Sequence, residues 1–189
     1  MRALLLAGIV AVVIAYAAVQ SVRAAEQQRQ RAARAFEPIA TVLSSARCAN
    51  CHISGAAPLQ GDDGRPHTML VRRGLDGRGT PVMRCTNCHQ DVSAPVLHAP
   101  PGAPDWRLPP PSTPMAWKGL SVGDLCRRLI DPSQNGNRRA QDLLEHLRHD
   151  PLVLSGWSPG PGRTLPPVSH DAFVKAFATW IDLGAVCPE

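Results

Sequence analysis

The 189-residue chain carries 20 basic and 15 acidic side chains, a formal net charge of +5, and is 44% hydrophobic but only 4% aromatic. That length allows one compact domain or two small lobes. Loss of Arg2 and Arg23 with a leader lowers the charge to +3, and export, argued next, excludes a nucleic-acid partner.

Arg2 precedes an unbroken apolar run over residues 3–19, and Val22-Arg23-Ala24 offers small residues where a signal peptidase reads. Residues 1–24 therefore read as a signal peptide or, uncleaved, as an N-terminal membrane anchor through residues 3–19. Either reading puts the folded part in the periplasm.

Residues 26–46 follow a helical pattern interrupted at Glu37-Pro38, where proline opens a new helix. Ile39, Val42, Leu43 and Ala46 share one face of it. That helix delivers Cys48 to the first of two matching hexapeptides, residues 47–52 (RCANCH) and residues 84–89 (RCTNCH).

Two cysteines two residues apart lie one turn apart. Their thiols can bond the two vinyl-derived carbons of one porphyrin while the next residue, a histidine, turns onto the iron. The pattern therefore implies two covalently bound haem c groups. Cys48, Cys51, Cys85 and Cys88 form the thioethers, and His52 and His89 are the proximal iron ligands. The periplasm is where bacteria attach c-type haem. A 37-residue shift also lays Ala57-Pro58-Leu59 on Ala94-Pro95-Val96, as a duplicated unit would. Two other uses of paired CxxC compete. A zinc site from the four cysteines needs no histidine after either pair, and the pairs stand 33 residues apart, beyond ribbon spacing. A redox dithiol belongs on a strand-to-helix turn that nothing here suggests.

Four propionates on two haems would bring the +3 chain close to neutral, with arginines as their natural bidentate partners. Each porphyrin also offers apolar surface to a chain with few aromatics, so the haem-free chain is expected to fold poorly.

Between the hexapeptides the sequence is rich in glycine and charge, which reads as tight turns. Asp62, Asp63 and Asp76 do not follow the alternating spacing of a calcium loop. Residues 99–114 hold seven prolines in sixteen positions and must be extended. Trp106 and Trp117 flank much of that stretch, which favours a packed lid over a porphyrin rather than a free linker.

The last third is helical. Ser121 and Asp124 form a capping box that opens a helix through about Ile130, Asn137 caps a second through His149, and Ser169 begins a third ending near Gly184. Cys126 and Cys187 make an even pair in an oxidising compartment and are expected to form a disulfide, the alternative being two buried thiols.

The sixth iron position decides the chemistry: a second strong ligand favours electron transfer, an open position favours small-molecule binding. The candidate distal ligands are His67, Met115 and His146. Residues 113–121 (TPMAWKGLS) resemble the methionine loop of class I cytochromes c, although the proline that follows the methionine there is missing here.

Residues 73–90 (RGLDGRGTPVMRCTNCHQ), 100–119 and 150–161 (DPLVLSGWSPGP) resemble a group of small exported dihaem proteins described in connection with isoquinoline 1-oxidoreductase, a molybdenum hydroxylase. The resemblance implies that such an enzyme donates electrons to this protein. The chain itself has no molybdopterin or iron-sulfur pattern.

The expected fold is mainly α: a cytochrome c-like, loop-rich dihaem core over residues 25–114, with a helical C-terminal region, residues 115–189, packing on the haems. The expected function is single-electron transfer between periplasmic or membrane partners, including a molybdenum hydroxylase or a respiratory-chain component. A dihaem peroxidase and a haem-based gas or redox sensor are the rivals. Only 32 residues separate His52 from Cys85, too few for two independent cytochrome folds, so the haems are expected to lie close together.

Overall fold

A computed structural model describes residues 2–189, with side chains described from Val12 onward. The fold is mainly helical. Its helices are α1 (Arg2–Ala35), α2 (Glu37–Leu43), α3 (Ala46–Ala49), α4 (Val122–Ile130), α5 (Ala140–His149), α6 (Pro151–Leu154) and α7 (His170–Asp182). Two short antiparallel hairpins complete it, β1 (Leu59–Gln60) with β2 (Arg65–Pro66), and β3 (Gly79–Thr80) with β4 (Met83–Arg84).

Only the last turns of α1 join the body of the protein, where Ala32 is buried against neighbouring helices. Val12, Ile14, Tyr16, Val19 and Val22 are exposed. Among the described residues no helix is long and apolar enough to cross a membrane. The leader expected over residues 1–24 falls partly outside the described residues. The break at Glu37-Pro38 lies where expected: α1 stops at Ala35 and α2 restarts with proline in its first turn.

The core is built by helices. Phe36 and α2 (Ile39, Val42, Leu43) meet α4 (Leu125, Leu129), α5 (Leu143, Leu144, Leu147) and α7 (Phe173, Phe177, Trp180) in one cluster that also takes Met115 and Trp117. The few aromatics are concentrated there: the rings of Phe36, Phe173, Phe177 and Trp180 are fully buried and touch in a chain, with Phe36 and Trp180 centred 5.0 Å apart. Aromatic residues are scarce overall but gathered along α7 and at the junction of α1 and α2.

Helix starts follow local chemistry. The Ser121 hydroxyl accepts the Asp124 N–H at 3.1 Å and donates to its carboxylate at 2.6 Å, opening α4, and Ser169 caps α7 in the same way. Asn137 does not cap α5, which corrects that expectation. It takes a left-handed conformation (φ 61°), and fully buried Asn135 organises the loop by bonding the Leu129 and Arg138 carbonyls. Arg139 then precedes α5, its N–H on the Asp142 carboxylate at 3.0 Å. Cys126 and Cys187 are joined in a disulfide that ties α4 to the tail beyond α7.

The proline-rich segment is packed, not free. Leu108 donates its N–H to the Gly77 carbonyl at 2.8 Å, and a side chain at Gly77 would strike the Leu108 carbonyl. Glycine there lets the segment cross directly over the inter-motif loop.

Candidate functional site

The two hexapeptides fold into the same single turn. The Cys48 carbonyl accepts the N–H groups of Cys51 at 3.1 Å and His52 at 3.2 Å, and the Cys85 carbonyl accepts those of Cys88 at 3.2 Å and His89 at 3.0 Å. Each turn carries two cysteines and the histidine that follows them, and all four thiols are free.

Their environment distinguishes among the uses of CxxC. Burial pushes the Cys48 thiol up to about 12 and the Cys51 thiol up to about 11, with further repulsion from Cys51 and Cys85 respectively. Burial raises Cys85 as well. A redox-active dithiol needs the opposite, a thiol stabilised as thiolate by positive surroundings. Among the described residues no three His, Cys, Asp or Glu side chains converge on one point, so the four sulfurs are not arranged as a zinc cage. Cys85 lies within electrostatic reach of Cys51.

The motif histidines are held in matching ways by different segments. The His52 Nδ1 lies 3.0 Å from the Met115 carbonyl, and the ring stacks on Trp117 with centres 3.6 Å apart and planes 9° from parallel. Trp117 is fixed in turn by its indole N–H, which donates to the Leu43 carbonyl at 2.8 Å. The His89 Nδ1 lies 2.7 Å from the Pro101 carbonyl, and that ring stacks on Trp106 at 4.2 Å and 7°. A carbonyl oxygen only accepts, so each Nδ1 carries the proton and each Nε2 keeps a lone pair for a metal. Burial reinforces neutrality by pushing His52 down to about 3 and by lowering His89. Trp106 and Trp117 thus back the imidazoles rather than forming a lid.

The candidate distal groups are placed differently from one another. His67 lies with its ring centre 6.3 Å from that of His89, and its own Nδ1 donates to the Thr68 carbonyl at 2.9 Å. His146, on α5, has Nδ1 3.3 Å from the Asp150 carboxylate and lies within electrostatic reach of His52. Asp150 is held down to about 2, chiefly by its hydrogen bond with His146. Met115 contributes its carbonyl behind His52, and its side chain is buried in the helical core. Of the remaining histidines, His149 sits beside Glu145 at the surface, His170 is engaged through Nε2 on the Leu147 carbonyl, and the His98 ring lies over Gly162 with its carbonyl accepting from Arg163.

Arg73 is the least expected feature. It is only 4% exposed, donates through Nη2 to the Ile53 carbonyl at 2.8 Å, and leaves a buried Nε without a partner. No carboxylate pairs with it in the described structure, and it lies within electrostatic reach of Cys51 and His52. An unpaired buried guanidinium is costly. The half-used fork beside the first motif has the donor geometry that a propionate takes up, so the residues present fit a haem. The acidic residues once weighed for calcium have cations beside them: Asp62 with Arg47, Asp63 with Arg65, Asp76 with Arg84.

Sequence reading missed the two backbone carbonyls and the buried role of Arg73, which no spacing pattern marks. Asp150 was within reach, since it stands four residues after His146 on the same face. No family model, no curated protein and no solved structure matches the chain.

Proposed function

We propose that this chain is an exported dihaem c-type cytochrome that passes single electrons between periplasmic or membrane partners. The observation that carries the reading is the repeated site: at both CxxCH turns a neutral histidine gives Nδ1–H to a carbonyl, lies flat on a tryptophan and keeps Nε2 available. Cys48 and Cys51 would hold one haem c, Cys85 and Cys88 the other, with His52 and His89 on the irons. Haem iron, when bound, supplies one-electron chemistry.

The chain's own groups orient and insulate. The Met115 and Pro101 carbonyls fix the tautomer and raise the donor strength of each imidazole. Trp117 and Trp106 keep the rings from rotating and exclude water behind them. Arg73 would neutralise a propionate at the first site. Leu70, Leu75, Val82, Val96 and Leu97, on the chain segments either side of the second hexapeptide, are exposed apolar side chains of the kind a porphyrin would cover. Cys85 within electrostatic reach of Cys51 supports electron exchange between the two haems.

The exposed apolar stretch from Val12 to Val22 supports export or anchoring. A molybdenum hydroxylase is proposed as donor on the sequence resemblance alone, with a respiratory-chain component as the other partner. The test is an optical redox titration of the purified holoprotein, with and without carbon monoxide. An electron carrier gives two one-electron transitions and no rapid carbon monoxide binding. Stoichiometric binding at either ferrous haem would favour the peroxidase or the sensor.

A further inference from the structure

Resting on the dihaem reading, we infer that the iron held by His89 is closed by a second histidine, His67, on its opposite side. Two iron–nitrogen bonds of about 2.0 Å, the length imidazole makes to other first-row metals, with each ring centre about 1.15 Å behind its nitrogen, separate two facing imidazole centres by about 6.3 Å. His67 and His89 stand 6.3 Å apart. The two rings share no hydrogen bond, since both Nδ1–H groups are taken by backbone carbonyls.

The state of each ring agrees. His67 donates Nδ1–H to the Thr68 carbonyl and His89 donates to the Pro101 carbonyl, so both carry their free lone pair on Nε2. The chain accepts strain to hold His67 there. Met69 and Leu70, directly after it, both take left-handed backbone (φ 61° and 54°), a conformation costly for such side chains and concentrated at functional positions.

The test is low-temperature electron paramagnetic resonance of the ferric holoprotein and of His67→Ala, with covalent haem counted by pyridine haemochrome in each. The expected result is low-spin iron at the second haem in the parent. The variant should retain two haems and turn the iron of one of them from low to high spin, and added imidazole should return it to low spin. An unchanged spin state in the variant would overturn the ligation while leaving the dihaem reading intact. A parent without covalent haem would overturn both.

Discussion

At the scale of single residues, the account turns on groups whose partners lie far away in the chain. His52 takes its carbonyl from a residue 63 positions on, and His89 from one 12 positions on. Hydrogen bonds of that kind leave no periodic trace, which is why the hexapeptides were legible and their supports were not. Arg73 makes the point testable. Replacing it with methionine keeps the volume and removes a cation beside the first haem, so the ferric form gains. The midpoint potential of that haem should fall by about 60 mV, the one-electron equivalent of a tenfold change, while the other moves little. Spectroelectrochemistry reads this directly, and unchanged potentials would remove Arg73 from the site.

Asp62 offers a second test at this scale. The Thr164 N–H at 3.0 Å and hydroxyl at 2.7 Å, with Arg47 adding attraction, hold its carboxyl below the ordinary 3.8. A carboxyl depressed in the folded state contributes stability above its unfolded value and loses it as pH falls through the folded one. The parent should therefore lose stability below about pH 4 more steeply than Asp62→Asn, as followed by circular dichroism in acid titrations. Parallel acid limbs would show that this link between the first motif and residue 164 contributes nothing.

At the scale of elements, helix starts were readable where one side chain caps its own turn, as Ser121 and Ser169 do, and misread where a loop is organised from within. Asn137 had the composition of a cap, yet buried Asn135 does the organising, and a polar residue's burial is not visible in composition. The proline run showed that its backbone is extended, but not that Pro101 and Met115 would present carbonyls to the histidines. The Cys126–Cys187 pairing followed from parity and compartment, and it closes a span of 61 residues. Replacing both cysteines by serine should cost about 4 kcal/mol on the chain-entropy account. Urea unfolding of holoprotein should show the midpoint fall with its slope nearly kept. A loss well below 1 kcal/mol would mean that α4 and the tail are held together by packing alone.

At the scale of the whole molecule, the protein divides by what fills it. The helices and the segment around Trp117 supply most of the buried apolar side chains, whereas the large apolar side chains buried within residues 53–114 are few, chiefly Ile53 and Leu108. Haem dependence should follow that division. A chain with Cys48, Cys51, Cys85 and Cys88 replaced by serine should keep exchange-protected amides in α4, α5 and α7 and lose protection across residues 53–114. Uniform loss would restore the simpler expectation that haem organises the entire fold. The mainly helical class and the helical C-terminal region were visible in the sequence because amphipathic periodicity is local. The gathering of scarce aromatics into one helical core was not, since it depends on which faces meet.

Covalent haem underlies every functional statement above. Its most direct test is the intact mass of the purified protein after expression with a periplasmic haem-attachment system, compared with the four-serine chain. The account predicts an increment of two haems per chain that survives denaturation and vanishes in the four-serine variant. An unmodified mass, or a metal lost on denaturation, would contradict it.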